Sequence, residues 1–474
     1  MPKDYALSWI ETEKNTLRAM SDQIWQFAEI GLREYKSSTL QAEVLKDAGF
    51  SIQMGVAGMP TAFVATWGEG SPRIALLGEY DALPATSNRT VPHHEPLEAE
   101  APGHACGHNL LGVAAVGAAI AAKQAMERAD LRGTIQYMGC PAEETASGKT
   151  YMVKHGCFSG VDVALTWHPS FLNMVTLFSS LANRSVRFRF TGVTAHAAAN
   201  PEAGRSALDA VELMNIGVNY LREHIIPQAR VHYVITNGGG EPNVVPGKAE
   251  SWYYIRAPQA DQTKHIYERV VNIARAAAMM TETEVEVQFY GGCSNVVPNE
   301  PLAEALHKNM LAVGAPDFDE QDLAFARKMT EQFPPGQKKS ALARLEERGL
   351  DLSQEYLCRM VLPLVREKTA MPGSTDVGDV SWVTPTAQFG TACQVLGSSG
   401  HSWQVTATSG MSIGHKGMLQ AAKVLALTAL DCVLDPSLVS SAKQALDKEL
   451  RGQQYESPIP ENVQKPVDPF GNHT

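Results

Sequence analysis

The sequence lacks a long uncharged apolar run, a basic cluster and a cysteine framework, and each absence excludes a class of protein. Its longest nearly uncharged apolar stretch, Leu110 to Ala122, stops at Lys123. That falls short of the ~20 residues a bilayer span needs, so no membrane partner is expected. The opening residues Met1-Pro2-Lys3-Asp4-Tyr5 run into Glu11, Glu13 and Lys14, without the apolar core or small-residue cleavage site of a secretory signal. Seven cysteines, at 106, 140, 157, 293, 358, 393 and 432, are odd in number and scattered. This argues against a disulfide scaffold and for a reducing compartment, so a cytoplasmic protein is expected. With 40 Lys and Arg against 51 Asp and Glu, and a formal charge of −11, the chain offers no clustered cations for phosphate, and nucleic acid is not an expected partner.

What is present is ordinary globular usage: 474 residues, 44% of them apolar, enough for more than one core. Up to about Leu177 the apolar pattern alternates between strand and helix periods. Short runs at Ala62–Trp67, Ile74–Gly78, Thr134–Met138 and Val161–Trp167 read as buried strands, and Ser37–Ala48 and Leu110–Arg128 as helices. Such alternation predicts an α/β catalytic domain, a mixed and largely parallel sheet flanked by helices. A cleaner pattern follows. Val186, Phe188 and Phe190 alternate with Ser185, Arg187 and Arg189; a helical stripe runs through Ala207, Val211, Met214, Val218 and Leu221. Two further strands, a helix over Ile266–Ala277 and a strand at Val285–Phe289 complete a β-α-β-β-α-β order, a ferredoxin-like unit inserted at 181–294. The expected division is therefore 1–180 with 295–474, and 181–294. The charged stretch Asp317–Leu350, broken by Pro334-Pro335-Gly336, reads as two exposed helices. The polar, Pro-rich tail Gln453–Thr474 reads as extended or poorly packed.

Residues that can bind metal collect where strands should end. Cys106 and His108 precede a helix, Glu143 and Glu144 follow one strand, His168 follows another, and His401 lies in the turn Gly397-Ser-Ser-Gly-His401. In open α/β sheets the carboxyl ends of strands border the ligand crevice. Singly, each has a bland alternative: Cys106 as a small core residue, the Glu pair as solvated surface, the histidines as strand-end or loop residues. Jointly, thiolate, imidazole and carboxylate suit Zn²⁺ or Mn²⁺ better than Ca²⁺ or Mg²⁺. Five ligands exceed one closed tetrahedral site and fit two metals. Neighbouring side chains in extended chain point apart, so one carboxylate of the pair can hold metal while the other faces a water and takes its proton. That is hydrolase chemistry.

The series Leu83-Pro84, His104-Ala-Cys-Gly-His108, Pro141-Ala-Glu-Glu144, Thr166-Trp-His-Pro169, Thr194-Ala-His-Ala197 and Gly400-His401-Ser402 resembles the dinuclear metallo-amidohydrolase family. That family includes carboxypeptidase-G-like enzymes, acetylornithine deacetylase and the auxin-conjugate amidohydrolases. Cys-Gly-His-Asn-Leu-Leu-Gly at 106–112, Pro-Asn-Val-Val-Pro at 242–246 and Gly-Ser-Thr-Asp-Val-Gly-Asp-Val-Ser-Trp at 373–382 most resemble its branch that hydrolyses p-aminobenzoyl-glutamate. The resemblance implies that Cys106, His108, Glu144, His168 and His401 bind two divalent ions, Mn or Zn, with Glu143 as general base and acid. It further implies that the inserted unit is a lid through which a homodimer forms, that His196 polarises the scissile carbonyl across that dimer, and that Asn243 and Arg256 contact substrate. The expected substrate is a small N-acyl or N-aroyl amino acid, most of all an aroyl glutamate, and an A-type subunit is an implied partner. A dipeptidase or N-acyl-amino-acid deacylase, and a non-catalytic subunit, are the alternatives. Three positions depart from family patterns: Asn109 stands where one branch has Asp, Glu79 where some branches have a ligating His, and Thr375 where a Glu is common. The last leaves the roles of Asp376 and Asp379 open.

Overall fold

The computed structural model describes residues 1–366 and 370–468. The chain divides into two compact units.

The first unit comprises 1–178, 297–366 and 380–454 and is built on a seven-stranded sheet. Its strands are β1 (Ser51–Met54), β2 (Phe63–Glu69), β3 (Arg73–Glu79), β4 (Gly133–Cys140), β5 (Val163–Ser170), β6 (Met174–Thr176) and β7 (Thr386–Ala392). They lie in the order β1-β2-β4-β3-β5-β7-β6. The four central strands β4-β3-β5-β7 are parallel, and antiparallel strands close both edges. The mixed sheet is the one expected. β3 and β4 are apolar and buried on both faces, as parallel strands covered by helices must be. The helices His108–Arg128 and Ser412–Leu434 are long and apolar enough to cross a bilayer by length and composition alone. The apolar windows of both are mostly buried inside the fold, 94% and 78% respectively, so both are core helices. Alanines at 114, 115, 118, 119, 121 and 122 are fully buried, and their small size lets the first helix pack on several faces at once.

One expectation for this unit changes. The helices Glu320–Thr330 and Gln337–Glu346 form as predicted on either side of Pro334-Pro335-Gly336. They are not a solvated excursion, because Ala326, Met329, Leu342 and Leu345 are buried with Leu357, Val395, Leu396 and Ile413 in a second apolar cluster. β7 was not legible in Thr-Ala-Gln-Phe-Gly-Thr-Ala, a segment short of β-branched residues.

The second unit comprises 179–296, 370–379 and 455–468. Its elements follow the β-α-β-β-α-β order: Ala182–Thr191, Ala207–Leu221, Arg230–Asn237, Lys248–Ala257, Ala260–Thr281 and Glu284–Cys293. The strands of its four-stranded sheet are antiparallel, with Ala182–Thr191 and Lys248–Ala257 central and Arg230–Asn237 at one edge. The expected boundaries assigned 370–379 and the tail to the other domain. They group here instead because polar contacts hold them. Asp379 accepts bonds from the Ser294 amide, the Ser294 hydroxyl and Tyr455 Oη, and Arg184 donates to the Pro458 carbonyl at 2.9 Å. Asp379 is thus a buried structural carboxylate, and the tail, though without helix or strand, is packed: Ile459 is buried. Its last residues, 469–474, lie outside the described residues, as do 367–369.

Candidate metal centre

The first unit carries the site at the carboxyl ends of its parallel strands. Glu79 ends β3 and Asp81 lies two residues on; β4 ends at Cys140, three and four residues before Glu143 and Glu144; His168 sits near the end of β5, which continues past the expected Trp167 to Ser170. His108 opens its helix. Gly107 before it has φ +76°, a left-handed turn that glycine adopts without strain, and this turn separates Cys106 from His108 while keeping both at the helix start.

These groups converge. Three overlapping sets of ligand atoms lie within 4.8 Å of one another: Cys106, His108 and His168; Cys106, Glu144 and His401; Glu79, His108 and Glu143. Cys106 Sγ is 3.3 Å from His168 Nε2, and Glu144 Oε1 is 3.4 Å from His401 Nε2 and 3.9 Å from His108 Nε2. All five expected ligands and Glu143 are therefore brought together. His401 lies outermost, its side chain 58% exposed. Of the other loop histidines, His93 and His94 are solvent-facing while His104 is buried, bonded to the Ile24 carbonyl. Burial, and then the neighbouring His108, lower the His104 pKa to about 3, so it is neutral.

The donor set fits divalent metal. His108 Nε2, Glu79 Oε2 and Glu144 Oε1 are buried without a hydrogen-bond partner. The first two face each other at 3.1 Å, an arrangement that a shared cation would satisfy. Burial works against a charged His108, yet Cys106, Asp81 and Glu79 outweigh it and push the imidazole well above its usual value; the cluster favours positive charge at its centre. Burial also raises the Glu144 carboxyl, but His401 and His108 overcome this and bring it down to about 2. Burial and then His108 lower His168, leaving the neutral imidazole that a ligand must be. Its Nδ1 is 2.8 Å from the Pro169 carbonyl, which fixes Nδ1–H as donor and turns Nε2 inward.

Sequence reasoning missed the groups that orient the ligands. Asp81 Oδ1 accepts from His108 Nδ1 at 2.8 Å and Oδ2 from the Glu144 amide at 3.0 Å, so one carboxylate aims two ligands. Lys149, fully buried, holds Glu79 Oε1 at 2.6 Å. Glu79 stays ionised because Lys149 and His108 together outweigh its burial. The signal available was Asp81 itself, two residues beyond a strand end. The Asn109 side-chain amide donates to Ser21 Oγ and the Ser409 carbonyl. Asp81→Asn keeps the shape but presents one acceptor to two N–H groups. It is expected to weaken metal binding about 10- to 100-fold, measured by calorimetric titration, and unchanged affinity would remove Asp81 from this role.

The remaining expected residues lie in the second unit. His196 Nδ1 accepts the Ala198 and Ala199 amides, each at 3.2 Å, which leaves Nε2–H as the outward donor. Its loop pairs with that of Asn243: the Asn243 carbonyl accepts from the Ala197 amide, and His196 bridges Val244. Arg256 is not with them. Lys248 pairs with Thr191, just before the His196 loop, and Arg256 lies eight residues further along that strand, about 26 Å at ~3.3 Å per residue. Asn243 and Arg256, both expected to contact substrate, therefore stand at opposite ends of the four-stranded sheet.

Comparison with known proteins bears on the whole chain. A family model described as Peptidase family M20/M25/M40 matches residues 75–330. The B-type subunit of the p-aminobenzoyl-glutamate hydrolase of Escherichia coli (strain K12) is 42% identical over 464 residues, 96% of this chain and 96% of its own length. The Xaa-Arg dipeptidase of Mus musculus is 29% identical over 95% of this chain and 94% of its own. Among solved structures, a Bacillus subtilis protein described as a dinuclear metal binding peptidase superposes with a TM-score of 0.55 at 17% identity, over 90% of this chain and 99% of that one. This supports the fold.

Proposed function

The chain belongs to peptidase family M20/M25/M40, and from that premise we propose that it hydrolyses the amide between an aroyl group and glutamate, as in p-aminobenzoyl-glutamate. It is a metal-dependent hydrolase of amide bonds. The observation that carries the reading is the convergence of Cys106, His108, Glu144, His168 and His401 with Glu143 beside them. Two divalent ions, manganese or zinc, held by those five residues would polarise the scissile carbonyl and acidify a water. Glu143 takes the water's proton and returns it to the leaving nitrogen. Asp81 keeps His108 in the tautomer that presents Nε2 inward. His196, its Nδ1 occupied by backbone amides, offers Nε2–H to the developing oxyanion, and Arg256 offers a guanidinium to the glutamate carboxylate.

A homodimer through the lid is part of this reading. Its support is that His196 and Asn243 stand at one end of the four-stranded sheet and Arg256 at the other, so that a second copy is proposed to supply the end that one lid lacks. The edge strand Arg230–Asn237 exposes Val234 and Ile235, and the helix Ala207–Leu221 exposes Leu213, Ile216 and Tyr220, an apolar surface suited to a second copy. The E. coli relative is the B-type member of its hydrolase, which supports an A-type partner chain as well. The cysteines, none of them in a disulfide among the described residues, support a cytoplasmic setting.

The test is a substrate panel with the purified chain, supplied with Mn²⁺ or Zn²⁺ and sized by light scattering. The expected outcome is a particle of twice the 51.3 kDa chain mass and a kcat/KM for p-aminobenzoyl-glutamate at least about tenfold above that for other N-acyl glutamates. The mouse relative keeps dipeptide hydrolysis as a second reading. Preference for Xaa-Arg dipeptides would establish it instead, and a monomer that hydrolyses the aroyl glutamate would remove the lid dimer.

A further inference from the structure

The turn that carries the acidic pair is anchored on both sides of Glu143, and one of the anchors is a buried carboxyl with no role so far. The Glu144 amide is held by Asp81. The Ala142 amide donates at 2.8 Å to Glu34 Oε1, whose second oxygen accepts from Thr61 Oγ1 at 2.9 Å. Glu143 is the residue between the two held amides.

Three further observations show that Glu34 is committed to this turn. It immediately precedes the helix Tyr35–Asp47 but makes no side-chain capping bond to it. Glu29 does that instead, accepting the Lys36 and Ser37 amides and the Ser37 hydroxyl. The turn also needs holding, because Ala142 has φ +56°, a left-handed conformation that is strained for an L-residue. Finally, the segment bearing Glu34 is pressed against the turn. A Cβ on Gly31 would stand 2.3 Å from Thr145 Oγ1 and 3.1 Å from Ala142 Cα, while the Glu29 carbonyl accepts from Ala82, the neighbour of Asp81, at 2.8 Å. One short segment therefore touches both chain stretches that aim the ligands.

We propose that Glu34 is a positioning residue: its carboxyl oxygen, by holding the Ala142 amide, fixes the left-handed turn from which Glu143 and Glu144 diverge, one toward water and one toward metal. Complete burial of the side chain suits an acceptor supplied to a single backbone donor. Burial, and then the charge of Asp81, raise the carboxyl to about 8, against the bonds from Ala142 and Thr61. The inference rests on the hydrolase reading only where turnover is measured.

The test uses three variants of the full chain and Co²⁺ as a metal probe, read through the thiolate-to-cobalt absorbance that Cys106 would give. Glu34→Met keeps the volume without an acceptor, Glu34→Asp keeps the acid but withdraws it by one methylene, and Glu34→Gln keeps an acceptor oxygen at the same reach. Met and Asp are expected to weaken binding of one of two cobalt ions about 10- to 100-fold, with Gln within about threefold of the unchanged chain. With p-aminobenzoyl-glutamate, kcat should fall in the same order while KM changes little. If Glu34→Met does not fold, the Asp and Gln pair carries the same contrast. Cobalt binding unaltered in Met and Asp, with or without a lower melting temperature, overturns the proposal, as does Gln behaving like Met. If the unchanged chain does not cleave the substrate, the functional reading fails, and the cobalt titration still decides Glu34.

Discussion

Glu143→Gln is expected to lower turnover by about 10²–10⁴-fold, with metal content and melting temperature unchanged. The two carboxylates of the pair are adjacent in sequence but not equivalent in space. Glu144 groups with Cys106 and His401, and Glu143 with Glu79 and His108. The Asp81 bond to the Glu144 amide fixes the second of them toward the ligand cluster, so its neighbour is the group left to move a proton. Gln preserves size and hydrogen bonding but cannot accept a proton, which separates base chemistry from packing. Turnover and bound metal measured on the same preparation decide the point. Loss of an ion would make Glu143 a ligand, and unchanged turnover would take it out of the mechanism.

What could be read from the sequence, and what could not, follows from how each residue is used. The inserted unit was legible because apolar Val186, Phe188 and Phe190 alternate with polar Ser185, Arg187 and Arg189, a pattern visible in one dimension although Ser185 and Arg187 are buried as well. The metal ligands were legible because thiol, imidazole and paired carboxylate recur at strand ends. Asp81, Lys149 and Glu34 were not. A buried charge has the same letter as a surface charge, and only tertiary contact distinguishes them. Length and charge misled at 317–350, where exposed lysines and glutamates conceal the buried stripe of Ala326, Met329, Leu342 and Leu345. Arg256 shows the opposite limit. Its residue type suits a carboxylate contact, but only the strand register shows that it stands at the opposite end of the sheet from Asn243.

Removal of metal is expected to abolish hydrolysis, restore it on addition of Mn²⁺ or Zn²⁺, and lower the melting temperature by several degrees. A ligand held at a hundredfold excess over its dissociation constant contributes about 2.7 kcal/mol to stability, and this site is built to need it, since Glu79, Glu143 and Glu144 gather around His108. His108→Ala should be more damaging than chelation, because it removes the imidazole shared by two of the three ligand sets and leaves the buried Asp81 without its imidazole partner. Uncompensated buried charge of that kind costs about 3–5 kcal/mol. The pH dependence has a definite sign. Without metal, burial is outweighed at His108 and the imidazole holds its proton above the usual range, while burial and then Glu144 hold the Cys106 thiol protonated. Metal must displace the proton that Cys106 and His108 hold between them, so affinity should fall as pH falls, by up to about tenfold per unit for each proton released. Titrations in buffers of different ionisation enthalpy measure that release directly. Affinity independent of pH across the neutral range would show that neither Cys106 nor His108 is a ligand.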